Sequence, residues 1–362
     1  MPRTLLVTND FPPTVGGIQS YLRDFLDTLD PSEVVVFAST QDPVAAAEYD
    51  RSVPYRVVRW PRHVMLPTPT TAEAMGQIIR ELDIDTVWFG AAAPLALMGP
   101  AARRAGAARI IASTHGHEVG WSMLPGARRV LRRIGDSADV VTYISDYTLR
   151  RFRRAFGSHP QFRHLPSGVD TDWFRPAPRV DGPPTVICVS RLVPRKGQDM
   201  LLAVWPDVLA RYPDARLRIV GTGPYEARLR TLAQPLGEAV EFTGSLTAPE
   251  LRDALAAADV FAMPARTRGK GLDVEGLGIV YLEAQASGVP VIAGTSGGAP
   301  ETVTRDTGIV VDGRNATELT DALCALLGDP QRAAAMGQAG RRYAHAEWSW
   351  EIMGARLRDI LA

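Results

Sequence analysis

Twelve short apolar runs recur along the chain, and their recurrence leaves few folds open. In the first half they read TLLVTN, EVVVFAS, YRVVRW, TVWFGA, RIIASTH and VVTYIS; in the second, TVICVSR, RLRIVGT, VEFTGS, VFAMPA, PVIAG and GIVVD. Amphipathic stretches separate most of them. IQSYLRDFLDTL, for example, sets Ile18, Tyr21, Leu22, Phe25, Leu26 and Leu29 on one helical stripe. Near-continuous apolar strands joined by helices require parallel sheets covered on both faces. Twelve strands exceed one such sheet. The expected fold class is therefore α/β, with two doubly wound Rossmann-like domains, and 362 residues suit that number.

The boundary is legible. Residues 166–184, PSGVDTDWFRPAPRVDGPP, hold five prolines and show neither periodicity, as a linker does. The expected division is 1–168, 169–343 and a C-terminal helix over 344–362 that docks back toward the first domain. In open α/β sheets, ligands bind beyond the carboxyl ends of the strands. Two such domains facing one another would frame a cleft, so the chemistry is sought at strand ends.

Composition narrows the class. Apolar content of 46% and charged content of 22% are those of a soluble globular protein. Zero formal net charge removes any global field drawing the chain to nucleic acid. Cys188 and Cys324 lie in apolar runs and read as reduced, buried thiols. No signal peptide opens the sequence, and no apolar run nears the ~20 residues that span a bilayer, so a cytoplasmic protein is expected.

After the first strand, Gly16 and Gly17 precede a helix, where backbone can approach a ligand and free N–H groups attract anions. After RIIAS comes THGHEVGW, whose His115 suits a polar substrate contact. His115 and His117, with Glu118, have a spacing that can chelate a metal, but no third ligand is evident. After TVICVS, Arg191 and Lys196 stand five residues apart before a helix. Two cations there oppose the helix dipole unless a bound diphosphate reverses the sign. Lys196 and Lys270 are the only lysines among 40 basic residues. Gly221 and Gly223 read as a structural turn, since Glu226 replaces the third glycine of a dinucleotide loop.

The stretch DVEGLGIVYLEAQASG places Glu275 in a glycine-rich loop and Glu283 in the helix that follows. Glu275 fits the hydroxyls of a hexose. The backbone from Gly276 through Leu277 and Gly278 to Ile279 fits a phosphate, and Glu283 a ribose diol. A nucleotide sugar has those parts in that order.

Together the E-x₇-E pair, the R-x₄-K loop and the Gly-Gly turn resemble the family-4 retaining glycosyltransferases of GT-B fold. The likeness covers essentially the whole chain. NDFPPTVGGIQSYL, STHGHEVGWSMLPG, SRLVPRKGQDM and MPARTRGKGLDVEGLGIVYLEAQASGVPVIAGTSGGAPETV are similar to the PimB-type enzymes, GDP-mannose-dependent phosphatidylinositol monomannoside α-1,6-mannosyltransferases. That resemblance implies an acceptor-binding first domain and a nucleotide-sugar-binding second domain. It implies retaining transfer of mannose from GDP-mannose to the inositol 6-position of the (acylated) monomannoside. Arg191 and Lys196 would grip the diphosphate, Glu275 the mannose and Glu283 the ribose. Gly16 and Gly17 would lie by the diphosphate and His115 near the reaction centre. Asp10 and Gln19 would face the acceptor, with His117 as a further candidate.

Asp-x-Asp spacing occurs at Asp83–Asp85 and Asp170–Asp172, but neither follows an expected strand or reads as a metal motif, and the cations above can neutralise the leaving diphosphate, so no metal or other cofactor is expected. Lys196→Ala and Glu275→Ala are each expected to abolish most transfer, from their joint position at the cleft-facing end of the second domain, and barely to move thermal melting, since both fall in loops. Other readings on the same fold are a different sugar donor or glycolipid acceptor, an epimerase, a phosphorylase using Lys270, or a binder of nucleotide sugars that turns nothing over.

Residues 103–163 carry twelve arginines against four acids in a chain neutral overall. Trp121, Met123 and Leu124 lie beside Arg128, Arg129, Arg132 and Arg133. Apolar anchors next to cations suit an anionic lipid surface. Residues 121–133 are expected to dock the protein peripherally on the inner face of the bacterial plasma membrane.

Overall fold

A computed structural model describes residues 3–178 and 182–362. Residues 179–181, within the expected linker, lie outside the described residues. The chain forms two compact units. Unit 1 runs to Ser167 and takes in Trp350–Ala362; unit 2 is Gly168–Ser349.

Unit 1 contains β1 (Thr4–Thr8), β2 (Val34–Ser39), β3 (Arg56–Trp60), β4 (Thr86–Phe89), β5 (Arg109–Ser113), β6 (Val140–Tyr143) and β7 (Gln161–His164). All pair in parallel, in the order β3-β2-β1-β4-β5-β6-β7. Every residue of β1, β2 and β4 is buried, as their unbroken apolar runs require. The seventh strand is an addition to the sequence reading. Its sequence QFRH has no apolar run because β7 is an edge strand, with Gln161 exposed and the rest half-buried. The helices are α1 (Gly17–Leu26), α2 (Pro43–Ser52), α3 (Pro69–Glu81), α4 (Gly99–Ala105), α5 (Glu118–Met123), α6 (Pro125–Gly135) and α7 (Asp146–Phe156).

Unit 2 repeats the plan with β8 (Thr185–Val189), β9 (Arg216–Val220), β10 (Val240–Gly244), β11 (Val260–Met263), β12 (Val291–Gly294) and β13 (Gly308–Val311). The parallel order is β10-β9-β8-β11-β12-β13. Around it lie α8 (Gln198–Arg211), α9 (Glu226–Ala233), α10 (Ala248–Ala256), α11 (Ile279–Ala286), α12 (Ala316–Leu327) and α13 (Pro330–Trp348). Ser349 separates α13 from α14 (Trp350–Leu361), which packs on α1. There Trp350 meets Phe25 edge-on at 5.1 Å and Arg358 donates to Thr28 O at 2.8 Å.

In each sheet the strand order reverses beside the unit's first strand, between β1 and β4 and between β8 and β11. Connections leave to opposite faces at such a point, which opens a crevice at the carboxyl ends. Both cysteines are buried free thiols, and burial pushes the Cys188 thiol up to about 12. Among the described residues no helix is long and apolar enough to cross a membrane.

Candidate functional site

In unit 2 two loops meet at the reversal point. One leaves β8 through Arg191 and the tight turn Pro194–Lys196 into α8; the other leaves β11 and reaches α11. Arg266 N donates to Arg195 O at 2.8 Å and ties them together. Between them Lys196 Nζ lies 2.6 Å from Glu275 Oε2. Arg195 NH1 lies 3.6 Å from the same oxygen, and its Nε 3.1 Å from Asp273 Oδ1. The Glu275 backbone is pinned as well. Its N–H donates to Ser296 Oγ at 3.1 Å and its carbonyl accepts from Gly298 N at 3.0 Å. Gly297, at φ +58°, permits that approach, since a Cβ there would stand 1.8 Å from Glu275 O.

Lys196 and Glu275 are only 8% and 7% exposed. The expectation that replacing either leaves melting unchanged is therefore corrected: they lie in loops, but in buried ones. Removing one member of a buried pair strands the other charge, at about 3–5 kcal/mol. The pair is also incompletely satisfied. Arg195 NH1 and Glu275 Oε2 are buried without a well-directed hydrogen bond, so their contact is ionic and retains bonding capacity.

Helix starts carry a second signal. The helices α2, α3, α7, α12 and α13 are capped by the side chains of Asp42, Thr68, Ser145, Asn315 and Asp329. No side-chain cap is present on α4, α5, α6 and α9, nor on α1, α8 and α11, which alone of these have a glycine as the N-cap residue: Gly16, Gly197 and Gly278. Their first N–H groups stay available to an anion. Gly278 takes φ +87° at the start of α11, so Gly276, Leu277 and Gly278 lead straight into Ile279.

Arg191 is exposed on its loop and pairs with neither Lys196 nor Glu275. Glu283 lies a turn into α11, half-buried, and burial pushes its carboxyl up to about 7. The structure thus brings Lys196 and Glu275 into contact, while Arg191 and Glu283 stand apart from the pair. Gly221 and Gly223 pack against the carbonyls of Ser190 and Leu192, bracing the Arg191 loop. Lys270 is exposed on the 268–273 turn. Unit 2 also has a cavity of about 860 Å³, lined by Asp259 and Pro290, at the opposite ends of β11 and β12; none of these site residues lines it.

Unit 1 gathers its own cluster beyond β1, β4 and β5. Gln19 Nε2 donates to Asp10 Oδ1 at 3.3 Å. A Cβ on Gly16 would stand 2.3 Å from Gln19 Oε1, whereas one on Gly17 would meet nothing within 4 Å. Burial raises the Asp10 carboxyl above its usual range, and the charge of nearby His117 partly offsets it. His115 Nε2 lies 2.7 Å from Gly90 O, and its ring meets Tyr21 edge-on at 4.9 Å. A carbonyl only accepts, so Nε2 carries the proton and Nδ1 is the acceptor. Burial pulls His115 down to about 4, leaving a neutral imidazole at physiological pH. Glu118, weighed above as a metal ligand, accepts from His115 N and Gly116 N at 3.1 Å each and shapes the loop.

Sequence reasoning missed Arg195, Asp273 and Ser296 as parts of the Glu275 assembly. The adjacent cations of PRKG and the paired acids of DVE were the available signal. The expected docking patch is altered in detail. Leu124 and Pro125 divide it into α5 and α6, and Trp121 packs against the unit 1 core. Met123 and Leu124 remain as exposed apolar groups beside exposed Arg128, Arg129, Arg132 and Arg133.

Two doubly wound units have the GT-B architecture, and the family models and relatives that match the chain are glycosyltransferases. The family model described as "Glycosyltransferase Family 4" matches residues 15–173, and that described as "Glycosyl transferases group 1" matches residues 169–343. The chain belongs to the family-4 glycosyltransferases. It is 63% identical to the GDP-mannose-dependent monoacylated alpha-(1-6)-phosphatidylinositol monomannoside mannosyltransferase of Corynebacterium glutamicum, over 99% of this chain and 97% of that protein. It is 58% identical to the GDP-mannose-dependent alpha-(1-6)-phosphatidylinositol monomannoside mannosyltransferase of Mycolicibacterium smegmatis, over 99% and 98%. Among solved structures, sucrose-phosphate synthase from Thermosynechococcus elongatus superposes with TM-score 0.78 at 24% identity, covering 99% of this chain and 98% of that one. At that identity the likeness speaks for the fold.

Proposed function

We propose that this enzyme transfers mannose from GDP-mannose to the inositol 6-position of (acyl) phosphatidylinositol monomannoside, with retention, giving the dimannoside. The observation that carries the reading is full-length identity of 63% to a mannosyltransferase so named. The buried Lys196–Glu275 pair at the reversal point of unit 2 supports it.

In this reading unit 2 binds the donor. Lys196 and Arg191 hold the diphosphate with the N–H groups of Gly276–Ile279, Glu275 accepts from mannose hydroxyls, and Glu283 accepts from the ribose diol. Gly16 and Gly17 lie by the diphosphate, and Asp10 and Gln19 face the acceptor. The bond between mannose C1 and the diphosphate oxygen breaks as the inositol oxygen attacks from the same face. The hydroxyl proton passes to the departing phosphate oxygen. Negative charge grows on the diphosphate, where fixed cations and N–H groups stabilise it without a metal. Neutral His115 offers Nδ1 to a sugar hydroxyl.

The acceptor is a lipid, so the enzyme works in the cytoplasm, peripherally on the inner face of the plasma membrane. The α5–α6 region, with Met123, Leu124 and its arginines, is the docking face. Purified enzyme given the monomannoside and a panel of nucleotide sugars should consume GDP-mannose alone. Preferred turnover of another donor would overturn the reading.

A further inference from the structure

Unit 1 contains a cavity of about 540 Å³ lined by Arg132, Arg153, Arg154, Gly157, Ser158, Pro160 and Phe162. It lies where α6 and α7 end and the 157–160 loop enters β7. That is the amino-terminal end of the strand, whereas Asp10, His115 and Gly90 stand at carboxyl ends. Nothing in the transfer chemistry uses it.

Among the described residues none of its three guanidiniums is ion-paired, although Arg103 and Arg163 of the same unit have carboxylate partners. All three arginines are exposed, and two of them have close neighbours. Gly157, at φ +93°, lies under the Arg132 guanidinium, and a Cβ there would stand 1.8 Å from its NH1. Arg153 lies over the Phe162 ring, 5.5 Å from the centroid. Cations near helix C-termini favour the carbonyl ends. That accounts for arginines in the last turns of α6 and α7, but not for three converging on one cavity without a counter-charge. Three such forks beside the Ser158 hydroxyl match a tetrahedral oxyanion, and the volume is in the usual range of ligand sites.

We propose that this cavity binds the phosphodiester of an anionic phospholipid headgroup and anchors unit 1 to the bilayer at a point separate from the acceptor. The proposal rests on the membrane docking reading above. The charge on α6 points to lipid as the source. Arg132 belongs both to the cavity and to the exposed run Arg128, Arg129, Arg132 and Arg133, so a headgroup held there lies beside the surface that faces the membrane.

Charge-conserving substitution separates a built site from diffuse attraction, because lysine keeps the charge and loses the fork. Full-length protein is titrated with phosphatidylcholine vesicles with and without phosphatidylglycerol. The R132K/R153K/R154K variant should lose about tenfold in affinity for anionic vesicles, while R128K/R129K/R133K changes less than about twofold. Soluble glycerophosphoglycerol should compete with vesicles for the wild type and raise its melting temperature, but not that of R132K/R153K/R154K. Equal affinities for the two lysine variants overturn the cavity and leave membrane docking intact. Inorganic phosphate that stabilises the wild type, with vesicle affinity unchanged in R132K/R153K/R154K, overturns lipid as the source. No binding of wild type to anionic vesicles overturns the docking reading and this proposal with it.

Discussion

Lys196 Nζ stands 2.6 Å from Glu275 Oε2, with the two side chains 11% and 9% exposed. Arg195 approaches the same carboxylate from a second side. With Asp273 on Arg195, the cluster holds two cations and two acids and is formally neutral before any donor arrives. A diphosphate can then engage Lys196 while Arg195 keeps Glu275 oriented. Lys196→Met and Glu275→Gln should each lower transfer at least ~100-fold, the cost of about 3 kcal/mol at the leaving group or the sugar. Each should also lower stability by about 3–5 kcal/mol, because a charge or its donor is left stranded. The double variant Lys196→Met/Glu275→Leu should regain most of that stability and none of the activity. Additive melting losses in the double variant would show that the two residues do not act as a pair.

Glu283 gives a pH signature. Its folded pKa, raised to about 7, means the folded state holds a proton that the unfolded state releases near the ordinary value of 4.5. Stability contributed by the neutral carboxyl is present at low pH and falls as pH rises from 4.5 to about 7. GDP affinity should move oppositely, tightening through pH 7 as the carboxylate becomes a two-oxygen acceptor for the ribose. In Glu283→Gln both trends should flatten. Unchanged pH dependence of binding in that variant would remove Glu283 from the donor site.

His115 titrates the other way. Burial depresses its folded pKa to about 4, so protonation favours the unfolded chain and stability falls as pH drops from 6.5 toward 4. Imidazole resonances of His115 should not shift between pH 8 and pH 5. A midpoint near 6.5 would mean that its ring is not buried as described.

Membrane docking has its own test. Arg128→Ser, Arg129→Ser, Arg132→Ser and Arg133→Ser together should abolish co-sedimentation with anionic vesicles, at ~1 kcal/mol per cation near the surface. Wild-type binding should weaken with salt. Equal binding to neutral vesicles would exclude an electrostatic dock.

The two-sheet plan was legible because β1, β2, β4, β8, β11 and β12 are buried on both faces and are apolar nearly throughout. The edge strand β7 was not, since one open side frees QFRH from that demand. Lys196 and Glu275 stood out by rarity and by glycine context. Their contact spans 79 positions, and no local pattern encodes it. Arg195 was hidden among 38 arginines, and Ser296 acts on Glu275 through backbone geometry that its own sequence does not announce.

The most direct measurement is structural analysis of the product formed from GDP-mannose and the monomannoside in excess EDTA. Conversion should be undiminished and give a single dimannoside whose new linkage is α-1,6 by proton NMR. An inverted β linkage, or a rate that collapses with EDTA and returns with Mg²⁺, would contradict retaining, metal-independent transfer.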